Sequence, residues 1–586
     1  MIFRFAAIHR GVLLFFFSIM ILLSAENAVA GVKMKTAVEG VKGRVHDNIL
    51  KYLSIEKHKE YPYLSESLLR RLHKKSEAEI REALEPFGYY NPVIKSSLEK
   101  DNDIWTARYI IDTGTAVLIE IIDVTISGTG AWEEPFASFE ENLTIKSGDV
   151  FEHEAYEQAK AVLQRAAADR GYFDAEFITR EAVVDPVKNT ARITLHFNTG
   201  IRYRFGEVTF YQEAYDPAFL SRFVTFREGD FFTLPAVFRL ENAFTNSDYF
   251  SEVDIMPRRD LAENYEIPIE VHMTPRNKHK YTLGAGYGTD TGVRGSADWE
   301  NRRMNRRGHR MSTGLRLAEL KKSFSAKYSV PLKDPVTNRL DYSAGWRSEN
   351  TETSESKIYL AGISRTHMRG KWQETAYISY QHETFMLSGA SGRSDMIIPG
   401  INWTRIRADD RIYTAKGSRL FFDIRGAHKD ILSDATLLQA RMQVKYIYSI
   451  GTSGRFVLRG EGGVSALERF SAIPASLRFF AGGDRSVRGY AYNSLGPENA
   501  GGEVVGGKHL IAASIEYEQK IIDKWSAAVF YDTGNAVNSF SDALKKGAGA
   551  GVRWRSPVGL VRVDAASALS EPGRPWRLHV TIGPDL

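Results

Sequence analysis

From Lys280 to Leu586 the chain carries no convincing helix longer than a turn or two. Instead, short segments alternate between apolar and polar residues. In ARMQVKYIYSI, Ala440, Met442, Val444, Tyr446, Tyr448 and Ile450 form one face, and Arg441, Gln443, Lys445 and Ser449 the other. In SRLFFDIRG, Leu420, Phe422 and Ile424 oppose Arg419, Asp423 and Arg425. A period of two is the signature of a strand with two different environments. A soluble sandwich alternates as well, with its apolar face inward. Scale separates the two: alternation over about 300 residues, with charged inner positions, aromatic-rich ends and long polar loops, is what a transmembrane barrel requires. At roughly 19 residues per strand and connection, the nearest even count is about 16. After Gly31 no long stretch is continuously apolar. If the mature chain enters a membrane it must do so as a closed barrel, because hydrocarbon leaves no other partner for the backbone.

The compartment is read from the start of the chain. Arg4 and Arg10 lead into the apolar run Gly11 to Leu23, followed by Ala28-Val29-Ala30. That order is a secretory signal peptide, residues 1–30. A retained signal anchor is the competing reading, but the run falls short of the ~20 residues a spanning helix needs. Abundant Tyr and Phe (27 and 32), 48 Gly and no Cys fit a β-rich protein of an oxidising compartment. A net charge of +5 without a basic cluster argues against a nucleic-acid partner. No thiol, no H-E-x-x-H or H-x-x-x-H spacing and no G-x-S-x-G elbow occurs. The expectation is a protein with no catalytic residue, no metal and no cofactor. GAGAG, Gly547 to Gly551, is followed by no Lys-Ser/Thr and reads as a bent or closely approached strand.

Between Gly31 and Arg276 the sequence repeats itself weakly. EAEIREALEPFGYYNPVI, YEQAKAVLQRAAADRGYFDAEF and FRLENAFTNSDYFSEVDI each join a helix-period stretch to an aromatic pair and a strand. In the second copy Tyr156, Ala159, Val162, Leu163 and Ala166 share one helical face, and Gly171 stands where a helix-ending glycine would. The third copy has Asp248 at that place. Strand patterns ARYIIDTG, ARITLHFNTG and IPIEVHMTP flank the helices.

One loop stands out, GGDRSVRGYAYNSLGP, Gly482 to Pro497: too rich in Gly, Arg and Pro for helix or strand. Downstream, in HLIAASIEYEQKI, Ile511, Ala513, Ile515 and Tyr517 form the outer face, so Glu516 points into the lumen. In WSAAVFYDTGNAV, Trp525, Ala527, Val529 and Tyr531 face outward, so Asp532 also points inward. Placed near-equidistant from the turn at Ile522-Asp523-Lys524, the two acids are expected to be cross-strand neighbours, relieved by Arg488 folding back from the loop. Solvated, independent lumen charges are the alternative. Gly583 and Pro584 interrupt the last strand, and Gly284, Gly286 and Gly288 thin the first. The barrel seam is therefore expected to be weak, unless these glycines merely serve ordinary barrel closure.

The repeats with their G-Y-F signals resemble POTRA domains, and the second half resembles the barrel of the BamA/TamA outer-membrane assembly superfamily, with the TamA branch the nearest match. GGDRSVRGY resembles that family's sixth extracellular loop, with Val487, Arg488, Gly489 and Tyr490 at its tip. The family places its loop arginine against the acid of an F-x-D-x-G segment, here Phe530 to Gly534. The resemblance implies α+β POTRA repeats (31–115, 116–200 and 201–276) followed by an all-β antiparallel transmembrane barrel (277–586) of a Gram-negative outer membrane, with the POTRA domains in the periplasm. It further implies a role, without cofactor, in inserting or translocating envelope proteins such as autotransporters through a weak seam. Implied partners are an inner-membrane-anchored protein of the TamB type on the POTRA arm, unfolded outer-membrane proteins and outer-membrane lipid. A two-partner-secretion transporter of the same superfamily and a passive porin or adhesin are the rivals.

Overall fold

The computed structural model describes residues 32–586 apart from 62, 63, 103, 291, 388, 411, 558, 584 and 586. The expected signal peptide and Pro584 thus lie outside the described residues. The chain divides into two compact units: Met1–Gly206 with Glu228–Pro235 and Arg259–Ile267, and Glu207–Arg227 with Ala236–Arg258 and Pro268–Leu586.

Three small sheets share one topology, with the last strand of each in the middle. They are β1 (Lys33–Glu39), β2 (Val93–Asp101) and β3 (Ile104–Asp112), in the order β1-β3-β2; β4 (Leu118–Ser127), β5 (Glu176–Asp185) and β6 (Thr190–Asn198), in the order β4-β6-β5; and β7 (Arg204–Tyr211), β8 (Phe250–Pro257) and β9 (Glu266–Pro275), in the order β7-β9-β8. In the first two, the opening strand runs parallel to the central one, which is possible because helices make the crossover. The helix Glu66–Leu84 is capped by the Ser65 hydroxyl, which accepts from the Leu68 N–H. It buries Leu69, Leu72, Ile80, Ala83 and Leu84. The helix His153–Arg170 ends on Gly171 in the left-handed conformation (φ 83°). Its buried face is Tyr156, Ala159, Leu163 and Ala167 rather than one including Val162, which is half exposed at the edge of the stripe. After the third helix, Leu234–Thr245, Asp248 takes the left-handed conformation (φ 61°) that glycine takes in the second module.

The remainder closes into an antiparallel barrel of sixteen strands among the described residues. They are β10 (His279–Gly288), β11 (Gly292–Asn301), β12 (Arg310–Ala318), β13 (Lys321–Pro331), β14 (Asn338–Asn350) and β15 (Ser354–Arg369). There follow β16 (Trp372–Leu387), β17 (Ala390–Ala408), β18 (Lys416–Ala427), β19 (Leu437–Ile450) and β20 (Gly454–Leu467). The last are β21 (His509–Ile522), β22 (Trp525–Val537), β23 (Lys545–Ser556), β24 (Gly559–Ala568) and β25 (Trp576–Gly583). Along each strand the period of two sorts side chains: Ile363, Tyr446 and Val529 stand exposed outside, while Glu518, Asp532 and Arg553 are buried inside.

One end of the barrel, the near end, carries the third module. Tyr249 Oη donates to the Gly308 carbonyl at 2.7 Å, the Arg310 guanidinium lies 3.7 Å from the Tyr249 ring centroid, and Arg306 pairs with Asp216 at 2.8 Å. Aromatic pairs Trp525–Trp554 and Trp403–Phe422 stack toward this end, as expected of an interfacial girdle. The connection from β20 to β21 leaves from the opposite, far end.

Candidate functional site

The β20–β21 connection, residues 468–508, does not project from the barrel. It turns into the lumen and is fastened there at several levels. Near its start, the Ser476 backbone N–H donates to Glu383 Oε1 at 3.1 Å. Glu383, inward on β16 and fully buried, also accepts from Ser356 and Gln381. Paired backbone bonds Phe479–Gly507 and Ala481–Leu495 then zip the two limbs together, so the loop satisfies its own backbone where water is scarce. Val487, Tyr490 and Leu495 pack with Leu510, Ala536 and Ala568 of the wall.

At the tip, Arg488 meets the wall formed by β21 to β24. Its Nε and Nη2 engage the two oxygens of Asp532 at 2.7 and 2.9 Å, a bidentate pair, and its backbone N–H adds a third bond to the same carboxylate at 3.0 Å. Nη1 reaches Glu516 at 2.6 Å and Asp564 at 3.1 Å, and the guanidinium carbon lies 3.4 Å from the Phe530 ring centroid. Arg553, 1 % exposed, binds Glu516 at 2.7 Å and also pairs with Asp564. Arg459 lies 3.8 Å from Asp532. Three guanidinium groups (Arg459, Arg488, Arg553) thus face three carboxylates (Glu516, Asp532, Asp564), which is how charges persist away from bulk water.

Three inward glycines make room for this contact. A Cβ on Gly547 would lie 2.0 Å from the Arg488 carbonyl oxygen, one on Gly549 2.5 Å from Phe530, and one on Gly551 1.9 Å from Asp564. GAGAG is thus a trough that lets the loop approach the wall. Gly489 itself needs a positive φ (96°) beside the Ala568 backbone.

The structure brings Arg488, Glu516 and Asp532 together, with one change in register. Ser514, not Glu516, pairs with Asp532, and Glu516 pairs with Phe530. A bulge between Lys520 and Ile522 moves the turn, so the two acids are diagonal neighbours rather than opposite each other. Arg553, Asp564, Glu383 and Arg459 escaped the sequence reading, although the period of two already puts Arg553 and Asp564 on the inward face of their strands.

The seam contrasts with this wall. β24 and β25 pair from Ser567↔Trp576 to Leu560↔Gly583, and β10 pairs with β11 along its whole length. Between β10 and β25 the only register pair among the described residues is Gly288↔Thr581. Beside it the Thr289 N–H donates to the Val580 carbonyl at 3.2 Å, and Arg294 donates to the Ile582 carbonyl at 2.7 Å. Gly284 and Gly286 therefore lie on a stretch of β10 that pairs with β11 alone, and Gly583 pairs with β24 alone.

The loop also reaches this seam. The Asp484 carboxylate accepts from the Thr289 hydroxyl of the β10–β11 turn at 3.2 Å and from His579 Nδ1 of β25, while the Asp484 backbone N–H donates to Asp290 at 2.6 Å. The Gly489 N–H donates to His579 Nε2 at 2.9 Å, so the imidazole proton resides on Nδ1 and points at Asp484. Asp290, Asp484 and His579 are close enough to hold a cation, but both ring nitrogens are already committed, and the trio is a hydrogen-bond junction. Burial first, and the Asp484 carboxylate second, push the Asp290 carboxyl up to about 6. Beyond β25, Asp585 turns into the near end of the lumen, held by Arg455 and Arg562, each at 2.6 Å.

Residues 281–584 match the family described as the Omp85 superfamily domain, residues 35–113 the POTRA domain TamA domain 1, and residues 119–200 the surface antigen variable number repeat, a POTRA family. The chain is 23 % identical over 380 residues to the outer membrane protein assembly factor BamA of Nitratidesulfovibrio vulgaris, covering 60 % of this chain and 46 % of that protein. It thus spans about half the length of this curated relative. The structure of BamA from Haemophilus ducreyi lacking POTRA domains 1–3 superposes with a TM-score of 0.67 at 16 % identity, covering 80 % of this chain and 99 % of that one. A POTRA arm ahead of such a barrel belongs to a Gram-negative outer membrane with the arm in the periplasm. A barrel matched over its full length, with POTRA modules before it, makes this chain a member of the Omp85 superfamily.

Proposed function

We propose that the protein is a non-catalytic outer-membrane assembly factor that inserts or translocates other envelope proteins through the β10–β25 seam. The observation that carries this reading is the seam itself, where a single register pair among the described residues stands between two strands that are each fully paired on their other side. An unpaired strand edge is a template for an incoming strand, and unfolded outer-membrane proteins supply such strands. Autotransporters are the substrate class proposed, and an inner-membrane-anchored protein of the TamB type the partner of the POTRA arm. A passive pore fits less well, since the lumen holds a loop packed against the barrel wall.

The test uses the absence of native cysteine. Gly288→Cys with Thr581→Cys joins the register pair. The oxidised protein is expected to insert and fold, to lose assembly of a co-expressed autotransporter, and to regain it on reduction. Full activity in the locked form would overturn the reading. For the arm, deletion of residues 32–114 is expected to leave a heat-modifiable barrel and abolish co-purification of the inner-membrane partner. The first module has its own buried core, although Tyr90 also packs on the second, so its loss is expected to leave the barrel folded. Retained co-purification would move the docking site elsewhere.

A further inference from the structure

We propose that a notch in the outward face of the barrel, beside the far-end half of β17, binds one acyl chain of an outer-leaflet lipid. β17 pairs with β16 from Ala390 to Thr404, but with β18 only from Gly400↔Arg425 onward. Toward the far end, the β18-side edge of β17 therefore has no strand beside it. Such an edge facing hydrocarbon would leave backbone donors unsatisfied.

The chain deals with this in two ways. The β18–β19 connection folds back over the edge: the Ile397 N–H donates to Ser433 Oγ at 2.9 Å, the Asp395 N–H donates to Asp434 Oδ2 at 2.7 Å, and the Asp434 N–H donates to the Asp395 carbonyl at 2.9 Å. Alternate residues of a strand present their N–H groups to the same edge, so the next donor after Ile397 would come from residue 399. That residue is proline, which has none.

Between the capped part of the edge and the point where β18 takes over lies a cavity of about 710 Å³. Ile378, Ile397, Pro399, Ile431, Leu438 and Ala466 line it. Its size falls within the ~300–1,000 Å³ of small-molecule sites. Its polar lining residues, His428, Thr436 and Glu468, belong to the far-end connections, and the remaining lining is apolar. Buried water needs two to four polar partners, so an apolar occupant is favoured below that rim.

The position of the notch identifies that occupant. Ile378 and its cross-strand neighbour Ile363 are exposed on the outer face, so the notch continues the lipid-facing belt. The next outward pair toward the far end is Tyr380 and Ile397. Beyond it His382 and Asp395 form a polar cluster with Arg393 and the Tyr380 hydroxyl, while Lys429 pairs with Glu468 on the β18–β20 side. Apolar depth beneath a charged rim is the profile of a lipid chain below its headgroup. A substrate strand would need free backbone partners, and Ser433, Asp434 and Pro399 remove them.

The full-length protein in nanodiscs of phosphatidylethanolamine carrying a diazirine on its acyl chain provides the test. After irradiation, adducts mapped by mass spectrometry are expected several-fold more often at Ile397, Pro399 and Leu438 than at Ile363 and Val529 of the same belt. Ala466→Phe, which fills the notch from the outward face of β20, is expected to lower the excess to the level of those controls while heat-modifiability reports a folded barrel. Ala466→Leu serves if the larger residue prevents folding. Equal labelling at all five positions in the parent protein, or an excess that survives in a folded filled variant, overturns the proposal.

Discussion

Two residues of the same loop meet the barrel in opposite ways. Arg488 enters a wall whose four strands pair without a break at its level and there finds Glu516, Asp532 and Asp564, all buried. Asp484 reaches the seam, where the flanking strands share one register pair, and finds a hydroxyl, an imidazole and a second carboxylate. A charge cluster on a rigid wall is costly to take apart, because each partner left behind is a buried, uncompensated ion. Hydrogen bonds across a gap cost less to break, each to a charged group contributing ~1.5–3 kcal/mol net. The loop is therefore held more firmly on one wall than at the seam.

The largest effect is expected from breaking the strong side. Arg488→Ala leaves three acids facing two arginines, and removal of one partner from a buried ion cluster costs ~3–5 kcal/mol. The loop should become sensitive to added protease, and assembly activity should fall severely. The exchange Arg488→Asp with Asp532→Arg is expected not to restore either, because the new carboxylate would lie against Glu516 and Asp564. A protease-resistant loop in Arg488→Ala would show that the wall contact is not what holds it.

A smaller effect is expected from crowding the same wall without touching charge. Gly547→Ala places a methyl group 2.0 Å from the Arg488 carbonyl oxygen, an overpacking worth ~1–3 kcal/mol. The loop tip should shift and partial protease sensitivity appear, with the barrel's heat-modifiability unchanged. Wild-type resistance would mean the trough has slack that the structure does not show.

The smallest effect belongs to the seam and sharpens the contrast. With its folded-state value raised to about 6, neutral Asp290 favours the closed junction with Asp484. That contribution is full below the ordinary aspartate value of about 3.9 and is lost as pH rises through about 6. Amides of β25 should therefore exchange with solvent more slowly at pH 5 than at pH 7.5, after correction for the intrinsic rate. Asp290→Asn should hold the slow rate at both. The amides of β22, on the strong wall, should show no such change; an equal change there would place the titration elsewhere.

How far the sequence could reach depends on the kind of information each feature needs. Period-two alternation assigns a side chain to the inside or the outside, and that was enough for Glu516 and Asp532. It was enough in principle for Arg553 and Asp564. The helix end at Gly171 and the trough of GAGAG were legible because glycine marks places where a Cβ has no room or the backbone turns left-handed. The register of β21 against β22 was not legible, since a single bulge between Lys520 and Ile522 moves every pair beyond it. Nor were Asp484 with His579, Glu383 with Ser476, or Asp585 with Arg455, pairs separated by 95, 93 and 130 residues. Local pattern determines which face of the wall a residue lines, because that depends only on its neighbours in the chain. Which residues meet across the lumen depends on barrel closure and on the path of a loop through it, and only the tertiary structure decides that.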